Sequence, residues 1–133
     1  MAQRVSLRNQ RGQSVVEFAL VLPALMLILL AIVQFGMVFK QYITLTDAVR
    51  EGARKAAVAR QRTDNRENYV RNAVVVAGSD LGATFTAANV TVSTSWAPGS
   101  DVTVRGRFTF NIDVLGRVVK SGDMTSTATE RVE

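Results

Sequence analysis

The chain of 133 residues contains no cysteine and no histidine. Without thiols there is neither a disulfide frame nor a thiolate nucleophile. Without imidazole the commonest general base and metal ligand is missing, and Ser-His-Asp and Cys-His catalysis go with it. No glycine-rich phosphate loop, zinc-ligand spacing or EF-hand pattern is present. The acids of the C-terminal half, Asp80, Asp101, Asp113, Asp123, Glu130 and Glu133, are scattered rather than paired for acid–base work. Nothing here calls for a cofactor, a metal or a small-molecule substrate, and the chain reads as something other than an enzyme. No internal repeat or low-complexity tract occurs.

What the chain has in quantity is apolar residues, unevenly spread, and positive charge in particular places. Arg4, Arg8 and Arg11 stand in the first twelve residues with no acid among them. Residues 40–72 carry eight basic and four acidic side chains, whereas residues 73–133 carry five basic and six acidic ones. A net charge of +5 that sits beside an apolar run reads as membrane topology before it reads as nucleic-acid binding.

Residues 18–39 contain no formal charge. As a helix at ~1.5 Å per residue they cover about 33 Å, enough to cross a ~30 Å hydrocarbon core. The arginines just before the run predict an N-terminus left in the cytoplasm and an extracytoplasmic C-terminal part. Pro23 removes one helical hydrogen bond, to the carbonyl of Ala19, and predicts a kink or a packing contact there. Glu17 is the odd residue, a carboxylate at the mouth of the run. It has an ordinary reading, as an acid in a first helical turn reaching the headgroups. Gly12, five residues upstream and preceded by a basic leader, suggests another.

That array, a short basic leader ending in Gly12 and then "QSVVEFALVLPALMLILLAIV", resembles the class III signal of type IV pilin-like proteins. The stretch "EFALVLPALMLILLAIVQFGMVFKQYITLTDAVREGARKAA" is similar to the TadE/TadG-type pseudopilins of tight-adherence (Flp) pilus systems. It shares their "EFAL-LP" opening, the "FG" near the end of the run and the "REGAR-AA" segment. Gln34 departs from the pattern, since relatives often carry an acid before "FG". The resemblance implies cleavage by a prepilin peptidase between Gly12 and Gln13, which makes Glu17 the fifth residue of the product. A glycine at the cut lets an extended backbone enter a narrow cleft. The new α-amine on Gln13 would then offer the Glu17 carboxylate of an adjacent subunit a registering partner. The implied partners are the peptidase, other pilin or pseudopilin subunits, the pilus assembly platform, and membrane lipid along residues 18–39. The implied location is the cytoplasmic membrane, then the cell surface or pilus. The sizeable C-terminal part points to a minor pilin, because the family's major pilins are much shorter.

Beyond the run the helical pattern continues. Ala48, Gly52 and Ala56 recur every fourth residue, a small-residue stripe for close packing against this chain's own sheet or a neighbour. Arg50, Glu51 and Arg54 are either a subunit contact or a solvated helix face. Asp64 with Glu67 predicts a capping box opening a second helix over 65–77, with Tyr69, Val70, Ala73, Val74 and Ala77 as its apolar stripe and Gly78 its stop.

After Leu81 the period changes to two. Val90, Val92, Thr94 and Trp96 predict one strand. Val102, Val104, Phe108, Phe110 and Ile112 predict another, with Gly106 a bend or bulge. "DVLGRVVKSGD" is expected to connect to a last strand in "MTSTATERV". Arg105 and Arg107 with Thr109 could meet phosphate or merely solvate a sheet face, although the near-neutral charge of the region argues against nucleic acid.

The expectation is therefore an α+β protein: leader 1–12, a transmembrane and extended helix 13–62, and a small α+β head 63–133 with a three-stranded antiparallel sheet. The functional expectation is a pilin-like assembly subunit. Its rivals are a static single-pass membrane protein whose head binds a partner, and a DNA-uptake pseudopilin.

Overall fold

The computed structural model describes residues 10–133 except Thr63 and Leu115; Arg4 and Arg8 of the expected leader lie outside the described residues. Helix α1 runs over Gln10–Val58, with Pro23 inside it. It tightens into a 3-10 turn at Ala59–Gln61, closed by the Arg62 N–H donating to the carbonyl of Ala59 at 3.1 Å. Arg62 then turns to extended backbone and ends the helical run.

Helix α2 follows at Arg66–Ala77. Its cap is not the expected Asp64. The Asn65 side chain accepts the Asn68 N–H at 3.1 Å, while Asp64 is held by Arg62 through two bonds of 2.9 and 2.8 Å. Asparagine is as good an N-cap as aspartate, and the adjacent guanidinium takes the acid for itself. Gly78 terminates the helix as expected, its N–H returning to the carbonyl of Val74 at 2.8 Å. Val70, Ala73 and Val74 are buried, Tyr69 is half-buried beneath the Arg62 guanidinium, and Ala77 is exposed.

Strands β1 (Val90–Ser93), β2 (Asp101–Val114) and β3 (Arg117–Arg131) form one antiparallel sheet in the order β1-β2-β3. The α+β class and the three strands are as expected; three details differ. β1 stops at Ser93, short of the expected Thr94 and Trp96. Gly106 is no bulge, because Val102, Val104, Gly106 and Phe108 all point inward in unbroken alternation. A Cβ on Gly106 would lie 2.7 Å from Val49 Cγ2 and 3.0 Å from Leu45 Cδ1, so glycine is there to let α1 press against the sheet. The irregularity falls instead between Ile112 and Asp113. The expected connection after Asp113 is also mostly strand, since β3 starts at Arg117, seven residues before the expected Met124.

The chain divides into two compact units at Gly36–Met37. Residues 12–33 of the first are exposed all round. In the second, Leu45, Ala48, Val49, Ala53 and Ala56 of α1 meet Val70 and Val74 of α2 and Val102, Val104 and Phe108 of β2 in one core. Phe85 packs edge-on to Phe108, with ring centroids 6.3 Å apart.

Candidate functional site

The expected site residues Gly12, Gln13, Glu17 and Pro23 all lie in the N-terminal part of α1. Leucine, valine and alanine dominate it; leucine and alanine are among the best helix formers and outweigh the weaker valines. Gly12 and Gln13 lie within helical backbone, and a Cβ on Gly12 would meet nothing within 4 Å. Glycine costs about 1 kcal/mol relative to alanine in a helix, so the first turn is cheap to unwind. One turn on, Glu17 Oε1 accepts a hydrogen bond of 3.1 Å from Gln13 Nε2. The residue on the far side of the expected cut and the expected registering acid therefore already share one helix face. Pro23 sits exposed in the same helix. This helix is long and apolar enough to cross a membrane, with a peak mean hydropathy of 2.7.

The small-residue stripe faces elsewhere. Ala48, Gly52 and Ala56 are all buried within the Met37–Glu133 unit. A Cβ on Gly52 would stand 2.2 Å from Val74 Cγ2 and 3.6 Å from Val104 Cγ1. The stripe thus gives α2 and β2 their close approach to α1 inside a single chain. Arg50, Glu51 and Arg54 lie on the other side of the helix. Arg50 pairs with Asp47 at 3.8 Å, and Glu51 with Arg54 at 3.5 Å and Lys55 at 3.6 Å. Such exposed pairs contribute little stability.

On the outer sheet face Arg107 pairs with Asp123, which also accepts from Thr109 at 2.6 Å. The Thr109 hydroxyl and the Arg107 guanidinium hold the Asp123 carboxyl below its usual range. Half of the Arg105–Arg107 pair is thereby neutralised, which weakens that face as a phosphate binder. Asp123 was hidden from sequence reasoning because only the β2–β3 register, with Thr109 opposite Asp123, brings the three together. Among the described residues no group of three metal-ligating side chains converges.

A long N-terminal helix, a second helix and a three-stranded antiparallel sheet constitute a pilin-like arrangement. Residues 12–54 match the family described as TadE-like protein. No curated protein and no solved structure matches the chain.

Proposed function

We propose that this protein is a TadE-like minor pilin or pseudopilin: a substrate of a prepilin peptidase, cut between Gly12 and Gln13, that helps assemble a tight-adherence (Flp) pilus for attachment to surfaces. Before assembly it sits in the cytoplasmic membrane through residues 18–39, N-terminus inside and head outside. In the filament the Gln13 α-amine pairs with Glu17 of an adjacent subunit. That ion pair lowers the cost of an acid among apolar helices and sets the register between neighbours.

The observation that carries this reading is where the family match begins. It opens at Gly12, the residue of the expected cut, and takes in Glu17, the whole charge-free run and Ala48 and Gly52 of the small-residue stripe as one block. A generic membrane anchor needs only the run. The Gln13–Glu17 contact adds support only in that the two residues lie on one face at the helix start; the contact itself uses the Gln13 side-chain amide within one chain.

Mass spectrometry of membrane-purified protein tests the cut. Cells holding the peptidase should yield a chain beginning at Gln13, and an intact Met1 start there would defeat the reading. Glu17→Gln tests the pairing: assembly should be lost while the head unfolds at its normal temperature. An unimpaired Glu17→Gln protein would instead mark a static anchor.

A further inference from the structure

The β2–β3 hairpin runs well past the rest of its sheet. β1 pairs only with Thr103 to Gly106, whereas β2 and β3 stay paired as far as Val114 and Arg117. Packing within the Met37–Glu133 unit fixes where this overhang points. Along α1, the carbonyl of Ala57 accepts from Glu133, Gly52 lies against Val104, and Leu45 and Val49 lie against Gly106. α1 is therefore antiparallel to β2, and the hairpin heads toward Met37. From Leu45 back to Met37 the helix covers about 12 Å at ~1.5 Å per residue. From Gly106 to Val114 the strand covers about 26 Å at ~3.3 Å per residue. Even with a wide crossing angle, the hairpin turn reaches the level of Met37. That level adjoins the end of the charge-free run, at Phe39 and Lys40, where a spanning helix meets the headgroups.

The chemistry of the turn suits that level. Gly116, at φ +79°, makes the reversal. Val118 and Val119 follow side by side, 59% and 67% exposed, between Arg117 and Lys120. Farther along β3 every exposed position is polar or charged: Ser121, Asp123, Thr125, Thr127, Thr129, Glu130 and Arg131. An apolar pair bracketed by cations matches an interface with acyl carbon beneath and anionic phosphate above. Asp113, across the ladder from Val118, only partly offsets the two cations.

We propose that the β2–β3 hairpin tip is a second membrane contact, in which Val118 and Val119 enter the interface and Arg117 and Lys120 bind the phosphates of anionic lipids. The contact rests on residues 18–39 being the span, as in the functional reading above.

Because the chain has no cysteine, a single V118C substitution places one fluorophore on the tip. Full-length protein labelled at V118C, at L29C in the apolar run, or at T127C on the polar sheet face is reconstituted into vesicles. These are made with or without phosphatidylglycerol in phosphatidylcholine, and carry spin-labelled lipids as shallow or deep quenchers. L29C should be quenched by the deep probe in both lipids. V118C should be quenched by the shallow probe, more strongly with phosphatidylglycerol, and T127C by neither. Arg117→Gln and Lys120→Gln should each lower the bound-to-free ratio of the V118C tip about fivefold in phosphatidylglycerol, the weight of one cation near an anionic surface. Quenched L29C with unquenched V118C overturns the hairpin contact alone, as does T127C quenched equally. Unquenched L29C overturns the span and the contact together. A V118C signal that vanishes on diluting protein in lipid identifies a second copy as the tip's partner and overturns the lipid contact.

Discussion

The two parts of α1 share one helical backbone but solve opposite problems. Residues 18–33 are apolar around the whole circumference, and none of them is buried. Between Leu45 and Ala57 the helix is two-sided, with Leu45, Ala48, Val49, Gly52, Ala53 and Ala56 covered and Arg50 and Arg54 exposed. An all-round apolar helix can only be satisfied by an apolar surrounding, whereas a striped one is satisfied by its own chain. Small residues have correspondingly different meanings in the two parts. A side chain on Gly36 would meet nothing within 4 Å, while one on Gly52 would collide with Val74.

The comparison can be pressed by mutation, with unfolding of the full-length chain in detergent as the common measurement. Phe108→Ala removes a buried ring from the core and should cost about 3–5 kcal/mol. Leu27→Ala in the apolar run should leave head unfolding unchanged, and a comparable loss there would erase the distinction. Next in size is Gly52→Val. Overpacking against Val74 should cost about 1–3 kcal/mol. Adding Val74→Ala should recover part of this, giving a non-zero coupling in a double-mutant cycle. Gly36→Val, with open space around it, should have no effect on the head. Equal effects of the two glycine substitutions would show that the stripe is not packed inside the chain.

Smaller again is the cap of α2. Asn65→Ala should cost about 1 kcal/mol, and Asp64→Ala less, because Asp64 bonds Arg62 rather than the helix. The reverse order would return the capping role to the aspartate. The smallest effect is expected at Asp123. Its carboxyl is held below the ordinary range in the folded state by Thr109 and Arg107. Folding therefore favours the ionised form. The contribution is complete above the ordinary carboxylate range and is lost as pH falls through the depressed value. Asp123→Asn should flatten that part of the acid limb only slightly, since the group is exposed and screened. An unchanged acid limb would remove the trio from any role in stability.

Much of the fold was legible along the chain. The switch from helical period to alternation after Leu81 foretold the order of helices and strands. The inward set of β2 was read correctly from Val102 to Ile112. Two misreadings share one cause. Gly106 looks like a break when only its strand is in view, and becomes a contact once Leu45 and Val49 arrive from more than fifty residues away. The Val118–Val119 doublet breaks the alternation that marks a strand, because the ladder slips at Ile112/Asp113. Cross-strand partners, not local composition, make that segment β. The candidate site, by contrast, is a proposal drawn from linear spacing alone, from Gly12 through Glu17 to the run after them.

Sequence alone determined a helix with no charge over 22 residues, an acid at its mouth and a chain without thiol or imidazole chemistry. Those are properties of covalent order and local hydropathy, and they survive whatever the rest of the chain does. Tertiary structure decided that the small-residue stripe turns inward onto Val74 and Val104, that Asp123 meets Arg107, and that the β2–β3 hairpin heads toward Met37. Each of these depends on groups distant in sequence meeting at van der Waals or hydrogen-bond range, and short-range forces leave no mark on the linear pattern until the chain has folded.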